Sequence, residues 1–268
     1  MKIKLCFLSL VLTMVGIMNI SAEELKNGTF RFGEGKNQKG HLYLPEKFEP
    51  SKSRLIVFMH GRGSAPGTAG NVGTPDFEAF RKICAEKGYV IAVPPGLSLW
   101  FNAQVEKDVC AMLDYLAKNL KIDTSRFYLA GCSMGGMSAL LYAGRHSERV
   151  IAVCDIFGAA NMGELHEGEY KENIKIAYGG YYADRKAFYE SRNAMNYVSV
   201  LKNIPILIIH GEADEKVPIR QSRELLAEIK KAGGTQIELI AVPKIGHANR
   251  IIKGYEQKVV DFFEAIGN

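Results

Sequence analysis

The sequence predicts a three-layer α/β/α sandwich on a mostly parallel, doubly wound sheet of about eight strands. Three observations carry that expectation. Strand-like apolar runs alternate with helical patterns from about residue 54 to the end. Several of those runs, 55–59 among them, are almost continuously apolar, as strands buried on both faces are. With 268 residues and 47% apolar composition, the chain can fill one sizeable core but not two large ones.

Taken in order, residues 29–32 and 40–44 read as an opening antiparallel pair, followed by the buried strand at 55–59. A helix is expected over 76–87, where Phe77, Phe80, Ile83 and Cys84 recur at helical spacing before Gly88. A strand at 89–93 and a helix at 105–119 come next. Strand 127–130 then delivers a sharp turn, and helix 134–144 leaves it. Strands at 150–157 and 205–209 bracket residues 159–204, a stretch without a strong period that is too long for an ordinary loop and reads as a cap. An amphipathic helix over 221–232 ends at Gly233 and Gly234; a last strand at 237–242 and a closing helix at 255–266 complete the domain.

Residues 1–22 have the form of a signal peptide: Lys2 and Lys4, an apolar run over 5–18, then the small residues Ser21 and Ala22 before Glu23. The run falls short of a bilayer span, so cleavage near Glu23 is favoured over an uncleaved anchor. That implies a secreted or periplasmic protein with no stable membrane insertion after cleavage, and a catalytic domain over 23–268. Loss of the leader lowers the formal charge from +5 to about +3. Basic residues are scattered rather than clustered with aromatics, so no nucleic-acid partner is expected. Besides Cys6 in the leader, Cys84, Cys110, Cys132 and Cys154 sit in apolar contexts and read as free thiols. No Cys/His spacing suggests a metal, and no cofactor is expected.

The chemistry concentrates at Gly131, Cys132, Ser133, Met134 and Gly135, a G-x-S-x-G sequence between an expected strand and an expected helix. Such a turn lifts the serine hydroxyl above the sheet edge, and the flanking glycines remove side chains that would clash. Glycine-rich chains match the pattern by chance, so the strand and helix context is what gives it weight. A serine hydroxyl is a poor nucleophile unless a base sits within hydrogen-bond reach. His247, just after the last strand, is the best placed base. His41 precedes the core, His146 ends a helix, His166 lies in the cap, and His60 and His210 end strands as structural imidazoles.

Asp214 follows a buried strand and can accept the imidazole N–H. Glu212 and Glu215 compete with it; spacing and the chain order Ser, Asp, His favour Asp214. After strand 55–59, His60-Gly61-Arg62-Gly63 is where a backbone N–H must meet a developing oxyanion alongside that of Met134, and Arg62 is the chosen second donor. Its side chain could instead meet an anionic substrate group. Trp100 and Phe101, on a loop after strand 89–93, could form an aromatic wall or be core.

These residues resemble the α/β-hydrolase superfamily over essentially the whole chain beyond the leader. The closest likeness is to its dienelactone hydrolase, feruloyl or acetyl xylan esterase and prolyl oligopeptidase-like branch. Residues 205–247 carry most of it, with His210-Gly211, Asp214, Val217-Pro218 and Gly246-His247, and the glycine-rich hexad 131–136 matches the same branch. The resemblance implies a triad of Ser133, Asp214 and His247 with an oxyanion hole at Arg62 and Met134. Dienelactone hydrolases carry a cysteine where this chain has Ser133, and Cys132 is in the wrong slot to replace it. The implied activity is hydrolysis of a small-molecule or oligosaccharide ester through an acyl-enzyme, such as an acyl or feruloyl ester of plant polysaccharide. A serine peptidase acting on short peptides and a non-catalytic binding module are the competing readings.

Overall fold

A computed structural model describes residues 27–95 and 99–267; the expected leader lies outside them. The strands are β1 (Gly28–Phe32), β2 (Gln38–Tyr43), β3 (Arg54–Met59), β4 (Tyr89–Val93), β5 (Phe127–Cys132), β6 (Val150–Ile156), β7 (Ile206–Gly211) and β8 (Ile237–Val242). They form one sheet in the order β1-β2-β4-β3-β5-β6-β7-β8. β1 pairs antiparallel with β2 and β2 with β4, and every later pairing is parallel. The expected architecture is therefore present. Parallel neighbours need crossovers, and helices supply them.

Alternation along the strands divides the core in two. On β3, Leu55, Val57 and Met59 join one buried cluster, while Ile56 and Phe58 join the other. Helices α1 (Glu78–Glu86) and α9 (Glu256–Gly267) cover the second face through Phe80, Cys84, Val259, Val260 and Phe263. The first face is covered by α2 (Ala103–Leu120), α3 (Met134–Arg145) and α8 (Arg220–Lys231). Several expected boundaries move by one or two residues. The helix expected from residue 76 opens as a 3-10 turn at Pro75–Phe77, and β5 runs on to Cys132.

The cap stretch is helical: α4 (Met162–Leu165), α5 (Lys171–Tyr178), α6 (Tyr182–Glu190) and α7 (Val198–Leu201). Its weak sequence period follows from short helices that bury only one or two residues each, such as Ile174 and Tyr178 of α5. Cys84, Cys110, Cys132 and Cys154 are free, and burial pushes the thiols of Cys132 and Cys154 upward.

The cap is tied to the body through Glu106 on α2. Its carboxylate receives Arg145 Nε at 2.7 Å, His146 Nε2 at 2.9 Å and, from the cap, Arg192 at 3.0 Å. Burial alone would raise the Glu106 carboxyl, but the bonds from Arg145 and His146 and the charge of Arg192 hold it below its ordinary value. The Arg192 side chain is only 4% exposed, so removing its counter-ion strands a buried guanidinium. Glu106→Ala is expected to lower the unfolding free energy by about 3 kcal/mol and to speed proteolysis within residues 159–204. A loss below about 1 kcal/mol in urea denaturation would refute the coupling.

Candidate active site

β5 ends at Cys132, and the chain enters α3 through Ser133 with φ 56° and ψ −123°. That is a strained conformation for a serine. It persists because the Ser133 N–H donates to Ile156 O at 2.9 Å and its carbonyl accepts from Met137 N–H at 3.1 Å. The glycines are required by close approach: a Cβ at Gly131 would strike the Gly135 backbone, and one at Gly135 would strike the Met59 backbone. A side chain at Gly136 would strike the Asp155 carboxylate.

The imidazole of His247 lies with Nε2 at 2.8 Å from Ser133 Oγ and Nδ1 at 2.7 Å from Asp214 Oδ2. An ionised carboxylate only accepts, so Nδ1 carries the proton and Nε2 offers its lone pair to the serine O–H. Asp214 is placed by the turn after β7, where its Oδ1 accepts the N–H groups of Lys216 and Val217, each at 2.9 Å. Its side chain is fully buried. Burial alone would raise this carboxyl; the contacts from His210 and His247 and the Val217 N–H outweigh that and hold it well below the usual carboxylate range. Of the three competing acids only Asp214 reaches the histidine, since Glu212 is exposed on Arg223 at 3.1 Å and Glu215 is exposed.

His60 and His210 are structural, as expected. The ring of His60 contacts the carbonyls of Gly61 and Pro95 at 2.9 and 3.0 Å. His210 contacts Ser222 Oγ and the Val217 carbonyl, each at 2.7 Å. Near the end of β6 lies Asp155, whose Oδ1 accepts the Gly158 N–H at 2.9 Å while Oδ2 is buried without a partner. Burial pushes its carboxyl up to about 6, against the opposing pull of His210 and the Gly158 N–H.

A cavity of about 290 Å³ opens over Ser133, walled by Arg62, Phe157, Tyr170, Lys216, His247 and Asn249, among others. The Met134 N–H stands at the first position of α3, where no intrahelical acceptor exists, and Gly61, next to Arg62, packs against the nucleophile turn at Cys132. The aromatic wall differs from expectation. Trp100 is 3% exposed and Phe101 1% exposed, both in the core, because the loop folds inward and Tyr178 donates to the Trp100 carbonyl at 2.8 Å. The wall is instead Tyr170, which Trp100 buttresses with ring centres 5.1 Å apart, and Phe157, whose ring stands 4.8 Å from that of His247. Arg62 lies over the Tyr170 ring at 5.1 Å. Tyr170, Lys216, Asn71 and Asn249 carry no motif; Lys216 lies two residues after Asp214 and Asn249 two after His247, and nothing in the sequence sets Tyr170 or Asn71 apart.

Comparison with known proteins places this geometry in a family. The chain is 28% identical over 138 residues to a bifunctional acetylxylan esterase/xylanase of Neocallimastix patriciarum, covering 47% of this chain and 20% of that protein. It is 24% identical over 231 residues to a probable dipeptidyl-aminopeptidase B of Chaetomium globosum, covering 78% of this chain and 24% of that one. The chain thus spans about a quarter or less of these curated relatives. In fold it is similar to a Pyrococcus horikoshii acylaminoacyl peptidase, with a TM-score of 0.70 at 20% identity over 91% of this chain and 43% of that chain. The sequence profile of the prolyl oligopeptidase family matches residues 101–267, a span that holds Ser133, Asp214 and His247, and the chain belongs to that family of α/β serine hydrolases.

Proposed function

We propose that the protein hydrolyses carboxylic esters through an acyl-enzyme on Ser133. His247 takes the hydroxyl proton as Ser133 Oγ bonds to the ester carbonyl carbon, and gives it to the leaving alkoxide as the C–O bond breaks. Water, deprotonated by the same imidazole, then releases the acid and restores the serine. Asp214 orients the imidazole and stabilises its protonated form, and the backbone N–H groups of Arg62 and Met134 serve the oxyanion. The observation that carries the reading is the unbroken hydrogen-bond chain from Asp214 through His247 to Ser133 at 2.7 and 2.8 Å.

An acyl or feruloyl ester of plant polysaccharide is the favoured substrate, supported by the relative named for acetylxylan esterase activity. The second reading, a peptidase on short peptides, is supported by the relative named as a dipeptidyl-aminopeptidase. Charge favours the ester. Among the described residues the cavity walls include Arg62 and Lys216 and no carboxylate, so a substrate's terminal ammonium would face cations instead of a counter-ion. The apolar run in residues 1–22 supports export, with the mature chain starting near Glu23.

A fluorophosphonate is expected to label the protein stoichiometrically and Ser133→Ala not at all, with ester turnover falling by at least about 10³-fold. Asp214→Asn should lower turnover by about 10⁴-fold. Because Asp214 stays ionised well below the usual carboxylate range, that deficit should persist at every pH between about 5 and 8 rather than displace the profile. Labelling of Ser133→Ala equal to the parent would remove the serine from the reaction. Matched kinetics on a p-nitrophenyl acyl ester and on aminoacyl and prolyl anilides should favour the ester in kcat/KM, and a preference for an anilide reverses the assignment. Amino-terminal sequencing of protein recovered from its native host should read from near Glu23; an intact Met1 would contradict export by cleavage.

A further inference from the structure

Two loops far apart in sequence meet at one side chain beside Ser133. Asn71, half-buried in the 3-10 turn Gly70–Gly73, accepts the Gly61 N–H on its Oδ1 at 2.5 Å and donates from Nδ2 to Asn249 Oδ1 at 2.8 Å. Asn249 in turn donates to Thr74 Oγ1 at 3.4 Å, and Thr74 Oγ1 donates to the Asn71 carbonyl at 2.7 Å. The directions are not interchangeable. A backbone N–H can only donate, so Asn71 must turn its oxygen to Gly61 and its amide nitrogen to Asn249, which must answer with oxygen.

Each end of this clamp adjoins a reacting group. Gly61 precedes Arg62, whose N–H is assigned to the oxyanion, and Asn249 follows His247 by two residues. Both asparagines line the cavity over Ser133. Gly61 is also pinched from the other side: a Cβ there would stand 3.1 Å from Asn71 Oδ1 and 3.3 Å from the Cys132 carbonyl. The oxyanion loop is thereby held between Asn71 and the nucleophile turn.

We infer that Asn71 is a positioning residue, which with Asn249 sets the separation between the Arg62 amide and the His247 imidazole. The inference rests on the proposed roles of Ser133, His247 and Arg62. It touches no reacting atom, so its loss loosens two loops without emptying the site. A misplacement of about 1 Å at reacting groups costs on the order of 10²-fold in rate.

The test compares Asn71→Ala, Asn249→Leu and their double variant, each titrated with a fluorophosphonate and assayed on a p-nitrophenyl ester. The first two should lose about 10- to 100-fold in kcat per titrated site with KM within about twofold, and the double variant should be no worse than either single one. Wild-type-like kcat per titrated site in Asn71→Ala overturns the inference, as do additive losses or a deficit explained wholly by fewer titratable sites. Failure of the parent protein itself to label removes the Ser133 reading and this inference with it, so the two failures are distinct.

Discussion

At Ser133 the chain passes from β5 into α3 with a φ of 56°, which a serine holds only when its surroundings compensate. Much of the local structure follows from that constraint. Side chains are absent at 131, 135 and 136 because the turn presses against its own backbone, against the end of β3 and against Asp155. The serine N–H extends the ladder to β6, and α3 is buried along nearly its whole length. The hydroxyl is thus presented at the carboxyl edge of the sheet, where the loops after β3, β6, β7 and β8 converge.

Around it, charge is arranged in a definite order. Asp214 is buried yet kept ionised by donors on every side, while Asp155 is buried with one oxygen unpartnered and its carboxyl pushed up to about 6. Two carboxyls at neighbouring strand ends therefore behave oppositely, and the difference is the number of hydrogen-bond donors each receives. His210, contacting Val217 and Ser222 and lying 3.5 Å from Asp214 Oδ2, holds the acid loop in shape. Above the serine, Arg62 and Lys216 give the cavity a cationic lining set against the ionised acid below.

Among the described residues the cap reaches this arrangement through Tyr170. Tyr170 begins α5's approach, faces the cavity, carries Arg62 on its ring and rests on Trp100. Farther along, Arg192, packed on the cap's own Phe188, anchors the cap to Glu106 and to the ring of Phe101. The cavity wall is consequently braced by Trp100, and the cap that carries it is fastened to α2 through the Arg192–Glu106 ion pair.

The strand and helix succession was legible because strands buried on both faces, such as β3 and β7, are continuously apolar, and amphipathic helices such as α8 repeat their burial every turn. Ser133 and Asp214 were legible because each follows a buried strand, and His247 because it follows the last strand, all three in local contexts of glycines and turn residues that chemistry restricts. Trp100 was not: an aromatic residue reads the same whether it walls a pocket or supports the wall, and only the inward fold of its loop decided that Tyr170 stands in front. Asn71 and Asn249, 178 positions apart, carry no motif, and their contact exists only once β3 and the loop after β8 are folded to one edge. The sequence by itself determined the strand order's raw material and the reactive residue types; tertiary structure alone decided which distant side chains meet, because hydrogen-bond partners are selected by distance in space and not along the chain.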